Sequence, residues 1–168
     1  MKGRNIVFWS GGQDSTLVAL QLLRAGKYIK LVSFDNCWIG GEHQQNLEKM
    51  RRKQILNKFQ AEFGGNSFDH KNFTWDGELI AGLQSKAFVS LYPLCCKDED
   101  NVYLGIMSTD NFWHYANKWK IAFEKICDCD DKKVELNFPL EWFSRKAVIK
   151  DLKKLGYYDL TIHSGDKL

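Results

Sequence analysis

Only two prolines occur in 168 residues, and no Ser- or Gly-rich run separates one part of the chain from another. With no linker composition to divide it, residues 1–168 are expected to form a single domain. At 44% hydrophobic content that domain can bury a sizeable core. No apolar stretch approaches the roughly 20 residues that a membrane helix needs. The apolar run after Met1-Lys2-Gly3-Arg4 is too short for a secretory leader, so the cytoplasm is the expected compartment. Charge of one sign is also scarce: 24 Lys and Arg against 21 Asp and Glu leave +3, which does not by itself imply a nucleic-acid partner. Five cysteines (Cys37, Cys95, Cys96, Cys127 and Cys129) make an odd set, expected as free thiols. Neither Cys95-Cys96 nor Cys127-Asp128-Cys129 has the two-residue gap of a zinc knuckle, and adding His114 does not repair the spacing, so zinc is not expected. There is no Gly-x-x-x-x-Gly-Lys-Ser/Thr, which removes local support for γ-phosphate chemistry of the Walker type. No internal repeat or low-complexity segment is visible.

What the chain does have is Ser10-Gly11-Gly12-Gln13-Asp14-Ser15-Thr16. It follows the apolar run Ile6-Val7-Phe8-Trp9 and leads into Leu17 to Ala25, which reads as a helix closed by Gly26. A strand, a glycine turn and a helix N-terminus in that order make an anion site, because backbone N–H groups converge there and the helix dipole adds partial positive charge. Gly11 and Gly12 permit the tight turn and a close approach of phosphate. Ser10, Ser15 and Thr16 add hydroxyls. Asp14 would repel a bare phosphate. It fits if Mg²⁺ lies between them, since that ion takes one or two carboxylates together with phosphate oxygens.

Strand and helix patterns alternate along the rest of the chain. Ile29–Phe34 reads as a strand, Asp35–His43 as a loop, and Gln44–Phe63 as a helix with Leu47, Met50, Leu56, Phe59 and Phe63 on its apolar face, stopped by Gly64-Gly65. A weak strand lies within Ser67–Trp75 and a helix is expected over Glu78–Leu91. Asn101–Met107 reads as a strand. Phe112–Ile126 reads as a helix with Phe112, Tyr115, Trp119, Phe123 and Ile126 on one side. Lys133–Phe138 is the last strand, and Ser144 is placed to N-cap a final helix ending at Gly156. The alternation predicts a three-layer α/β fold with a mostly parallel, doubly wound sheet of about five strands. Ligands bind beyond the carboxyl ends of such strands. Asp14, Asp35 and Asp110 follow the strand ends at Trp9, Phe34 and Met107 and would converge there.

The opening motif resembles the PP-loop pyrophosphatases, whose mark is Ser-Gly-Gly-x-Asp-Ser after the first strand, and within them the 7-cyano-7-deazaguanine synthase branch. Phe34-Asp35 with Gly41-Glu42-His43 resembles that branch's Phe-Asp-Tyr-Gly-Gln-x-His region. Leu104 to Asp110 matches a Gly-x-x-x-x-Asp strand end. Pro139-Leu140-Glu141-Trp142-Phe143-Ser144-Arg145 resembles Pro-Leu-x-x-x-Ser-Lys, followed at the family distances by Gly156 and Leu160-Thr161. Departures are equally specific. No cysteine lies beyond Cys129, where the family carries four zinc-binding cysteines. Asn111–Asn117 replaces its Tyr-Pro-Asp-Cys-Arg segment, and its Arg-Asn segment is not visible around Trp75-Asp76-Gly77.

The resemblance implies an adenine nucleotide alpha-hydrolase-like fold that cleaves ATP between its α- and β-phosphates, adenylates an acceptor and releases pyrophosphate. ATP and Mg²⁺ are the implied cofactors. Ser10 to Thr16 would grip the phosphates, with Asp14 and Asp110 on the metal. Backbone of Ser33-Phe34 and Leu104-Gly105 would read the adenine edge. Arg145, at the family's lysine position, would contact pyrophosphate, and His43 would contact substrate or act as an acid or base. The implied partners are a carboxylated 7-deazapurine and ammonia, giving an amide and then a nitrile, in a homodimer, with no nucleic acid. Trp113, Tyr115 and Trp75 could stack on such a ring. Two alternatives stay open: a PP-loop enzyme that modifies tRNA, and a nucleotide-binding relative that is not an enzyme.

Overall fold

Ile6, Val7, Phe8 and Trp9 run on without a polar residue between them, and a strand buried on both faces is what such a run makes. In a computed structural model, which describes residues 3–36, 41–75, 92–111 and 113–162, the first three of them lie in β1 (Asn5–Phe8) at the centre of the sheet. The chain continues through α1 (Gln13–Arg24), β2 (Ile29–Asn36), α2 (Gly41–Phe63) and β3 (Phe68–Trp75). After a 3₁₀ turn (Tyr92–Cys95) come β4 (Asn101–Tyr103), α3 (Trp113–Cys129), β5 (Glu135–Asn137), α4 (Arg145–Leu155) and a 3₁₀ turn (Tyr158–Leu160). The expected helix over Glu78–Leu91 lies outside the described residues, as do Cys37 and Phe112.

The sheet order is β3-β2-β1-β4-β5, and every pair is parallel. The expected doubly wound α/β sheet of five strands is therefore present. The chain leaves β1 toward one edge and later returns to its other side at β4. The loops after β1 and β4 thus diverge and open a crevice at the switch point. Pleating sorts the core into two. Val7, Trp9, Leu31 and the helices α1, α2 and α4 share one cluster, filled by Phe59 and Tyr157. Ile6, Phe8, Val32, Val102 and Leu136 face the other, covered by Phe123 and Cys127 of α3.

Boundaries differ where side-chain pairing overrides local pattern. The expected Asp35–His43 loop is largely taken up by regular structure. β2 runs on to Asn36 because Asp35 is paired across the strand edge, and α2 already begins at Gly41. α1 begins at Gln13 rather than Leu17. On α2 the buried positions are Arg52, Ile55 and Phe59, whereas Met50 is exposed. On α3 the sheet is met by Ala116, Phe123 and Cys127, leaving Tyr115 and Ile126 outside. Ser144 does cap α4, its Oγ accepting the Ala147 N–H at 3.2 Å, and Gly156 closes it in the left-handed conformation.

Candidate functional site

The turn after β1 is built around Gly11, whose φ of +82° is one that side-chain-bearing residues avoid. A Cβ there would also meet Arg52 Cγ at 2.6 Å and Ile162 Cδ1 at 3.2 Å. The turn is thus seated on the stem of an α2 arginine and on the segment after α4, whose Ile162 N–H donates to the Gly11 carbonyl at 3.0 Å. Gly12 is the N-cap of α1, with no side chain capping the helix. First-turn N–H groups have no intrahelical acceptor, so this end offers donors to an anion. Ser15 Oγ accepts the Ser10 N–H and lies 3.2 Å from Ser10 Oγ, which folds both hydroxyls into the turn. Thr16 departs from expectation. It is fully buried, and its hydroxyl accepts the Trp9 indole N–H at 3.0 Å, because the helix turns that face into the core.

Two carboxylates and one guanidinium close the crevice. Arg145, the first residue of α4, donates to Asp14 Oδ1 at 2.6 Å and reaches Asp110 Oδ1 at 3.5 Å. The other Asp110 oxygen accepts the Met107 N–H at 2.8 Å, which fixes the loop after β4. Asp14 titrates above the ordinary carboxylate range because burial outweighs the relief from Arg145, and Asp110 adds to the rise. The sheet therefore brings together Ser10, Gly11, Gly12, Gln13, Asp14, Ser15, Asp110 and Arg145 at the expected end. Asp35, the third strand-end aspartate, is turned toward α2 instead. Two carboxylates facing one shared positive charge are a hard-oxygen set that suits Mg²⁺ completed by phosphate. Among the described residues no group of three His, Cys, Asp or Glu side chains forms a fuller metal site.

Gly105 lets the loop after β4 reach this point. A Cβ on it would lie 2.7 Å from the Asp14 carbonyl carbon and 2.8 Å from the Ser15 nitrogen, both backbone atoms that cannot swing aside. Gly105→Ala is expected to push the loop off α1 and weaken adenine-nucleotide binding by about tenfold or more, since displacements near 1 Å cost that much in a positioned site. Calorimetry with ATP checks this, alongside a far-UV spectrum to establish that the fold is kept. Of the expected adenine contacts, Ser33 is buried and the Phe34 ring is stacked on Tyr92 at 4.6 Å and Phe73 at 5.4 Å. Their side chains are spent in packing, leaving backbone as what they could offer a base. Leu104 lies in the same loop as Gly105, and its N–H is held by the Asn137 carbonyl at 3.0 Å.

Sequence reading missed a polar cluster beside the Gly11 turn. Asp35 is buried and ion-pairs with buried Arg52, accepts from Asn72 Nδ2 at 2.6 Å and has Lys49 at 3.8 Å. These residues, with His70 and Thr74, line a groove of about 290 Å³ between α2 and the sheet. The signal was present as polar residues at alternate β3 positions (His70, Asn72, Thr74), but only the β2–β3 register shows that they face Ser33 and Asp35. Ser33 Oγ donates to the Trp9 carbonyl at 2.6 Å, so the 3.0 Å contact with His70 Nε2 makes the imidazole the donor. Burial, then Arg52, lowers the His70 pKa below its ordinary 6.5. Because the folded state binds this proton less well than the unfolded one, the stability it contributes is complete above pH 6.5 and is lost as pH falls toward the depressed value. Denaturation midpoints below pH 6.5 should fall less steeply in His70→Gln, which keeps an N–H donor without the titration.

His43 lies in the first turn of α2, and its side chain, like that of Trp75, lies outside the described residues. Trp113 packs edge-on against Phe138, and Tyr115, itself 46% exposed, stacks with Trp119. A larger depression, about 420 Å³, lies among mostly charged residues between the end of α3 and the start of the edge strand β5. No helix of the described residues is long and apolar enough to cross a membrane.

No protein-family model matches the sequence, and no curated protein matches it. Solved structures do resemble the fold. A 4-thiouridine synthetase, solved in complex with RNA and with bound ATP, superposes with a TM-score of 0.71 at 17% identity over 95% of this chain. This chain spans 42% of that protein's length. A protein of Methanocaldococcus jannaschii described as a predicted subunit of tRNA methyltransferase superposes with a TM-score of 0.56 at 14% identity, over 99% of this chain and 95% of the other. At these identities the likeness establishes the adenine nucleotide alpha-hydrolase-like fold.

Proposed function

We propose that this chain binds ATP at the first β–α junction and uses cleavage between its α- and β-phosphates to activate an acceptor. The observation that carries the proposal is the meeting of an uncapped α1 N-terminus, a left-handed Gly11 and the Asp14–Arg145–Asp110 set at the switch point. First-turn N–H groups with Ser10 and Ser15 would hold phosphate oxygens. Arg145, freed from Asp14, would meet the departing pyrophosphate. Mg²⁺ held by Asp14 and Asp110 would neutralise phosphate charge. Backbone of Ser33-Phe34 and Leu104-Gly105 would receive the adenine. Catalysis of this kind is positioning and electrostatics, with no covalent enzyme intermediate.

In the reading drawn from the sequence resemblance, an oxygen of a 7-deazapurine carboxylate attacks the α-phosphorus and the α–β bond breaks to release pyrophosphate. Ammonia then attacks the activated carbon and AMP leaves, giving the amide. A second activation, of the amide, leads to the nitrile. His43 is the candidate for contacting that substrate or moving its proton, and a homodimer in the cytoplasm is the expected form. A second reading, in which the acceptor is a base of RNA, is supported by the RNA and ATP bound by one fold neighbour and by the tRNA methyltransferase description of the other. Pyrophosphate release, measured with ATP and Mg²⁺, separates them. Stimulation by 7-carboxy-7-deazaguanine with ammonia supports the first, and stimulation by unmodified tRNA supports the second. ATP binding without turnover under either condition would leave a binding protein.

A further inference from the structure

We propose that the groove between α2 and the sheet is a second ligand site, which takes a small phosphate monoester bearing hydroxyls, of the sugar phosphate class. The layer that α2 makes with β2 and β3 changes character along the strands. At its base Leu31, Ile55, Phe59 and Phe68 pack together. Two residues further on, the same face of β2 carries Ser33 and then Asp35. The same face of β3 goes on to His70, Asn72 and Thr74, and α2 sets Lys49, Arg52 and Lys53 opposite them. Apolar side chains would hold the helix to the sheet at least as well as the buried Asp35–Arg52 pair, so stability does not account for the change. The groove holds about 290 Å³, near the lower end of the roughly 300–1,000 Å³ of ligand pockets, which suits a small molecule.

The charge of the lining selects an anion. Lys49, Arg52 and Lys53 face one carboxylate, Asp35, which Arg52 already holds; Lys49 stands off at 3.8 Å. Glu48, beside Lys49 on α2, does not line the groove. One carboxylate neutralises one of the three cations, and His70 is neutral at pH 7 because its pKa lies below 6.5. Two positive charges are left over, which a phosphate monoester, at about −1.5 to −2, matches. The Arg52 guanidinium, whose fork would fit a planar carboxylate, is turned onto Asp35. The donors that remain are two ammonium groups and the Thr74 hydroxyl, point donors that suit a tetrahedral anion. The strand wall asks for something else. His70 Nε2 donates to Ser33, so Nδ1 keeps a lone pair, and Asn72 Nδ2 donates to Asp35, so its Oδ1 stays an acceptor. Acceptors repel an anion and call for O–H groups, so the ligand carries hydroxyls on the side away from α2.

The test is calorimetry of the full chain with ribose 5-phosphate, in saturating ATP and Mg²⁺ so that the first β–α junction is filled. Saturable binding is expected. The double variant Lys49→Ala, Lys53→Ala should weaken it by about tenfold or more, and Thr74→Val by about threefold, with ATP affinity unchanged in both. Ribose, which lacks the anion, and malonate, a planar dianion, should each bind at least tenfold more weakly. No binding by the wild-type chain overturns the proposal, as does unchanged affinity in the double variant. Malonate binding as tightly as ribose 5-phosphate overturns the phosphate assignment. Loss of ATP affinity in the double variant overturns the second site, since the groove would then belong to the nucleotide. A chain that binds no ATP is titrated in the same way without it, and a tenfold loss in the double variant then supports the groove while the nucleotide reading fails.

Discussion

Asp14→Asn is expected to cut ATP-dependent pyrophosphate release by about 10²- to 10³-fold, the loss seen when one electrostatic contact to a developing charge is removed. Stability should hardly change, and the magnitudes show why. Arg145 is about half exposed, with 47% of its side chain accessible, so its ion pair with Asp14 contributes at most about 1 kcal/mol. The favourable position of an acidic group in the first turn of α1 adds about 0.3–1 kcal/mol. Against these stands the burial that raises the Asp14 pKa, a cost the neutral amide does not carry. The terms nearly cancel, so the melting temperature should move by only a few degrees. Activity and thermal melting measured on the same preparation check both halves. Retained turnover would mean that the carboxylate does not serve the phosphates.

The largest expected loss of stability is at Arg52. Arg52→Ala leaves the Asp35 carboxylate buried with only the Asn72 amide and a distant Lys49 ammonium, and breaking a buried pair this way costs about 3–5 kcal/mol. That is a large share of the roughly 5–15 kcal/mol that holds a domain together. It also removes the stem on which Gly11 rests, so nucleotide affinity should fall with it. Arg52→Met separates the two effects, because it keeps the stem and loses the charge. Paired with Asp35→Asn, it should recover most of the stability lost by Arg52→Met alone. Urea unfolding of the two single variants and the double variant gives the coupling. A coupling near zero would show that the two groups act independently, and the pair would not be what seats the turn.

Much of the fold was legible because it rests on local rules. Ile6 to Phe8 reads as a doubly buried strand, Ser144 and Gly156 bracket α4 by cap chemistry, and Gly11-Gly12 mark the turn between β1 and α1. The misread stripe of α3 has a tertiary cause. Five aromatic and aliphatic residues at helical spacing suggested one face, but the sheet below accepted the smaller Ala116 and Cys127 around Phe123, leaving Tyr115 and Ile126 to solvent. Helical spacing says which residues share a face, whereas the neighbour's shape says which face is buried. Asp35 was misread for a similar reason. As a strand-end aspartate it looked like a turn former, and only the position of α2 over β2 delivers Arg52 to it.

By itself the sequence determined that a strand, a glycine turn and a helix come first, and that strands and helices then alternate, because backbone conformation and side-chain period are set by near neighbours. Only the tertiary structure decided that Arg145 stands between Asp14 and Asp110 and that Arg52 underlies Gly11. Those pairs are separated by up to 131 positions in the chain. Their meeting follows from the sheet order and from how each helix packs across it, which no local pattern encodes.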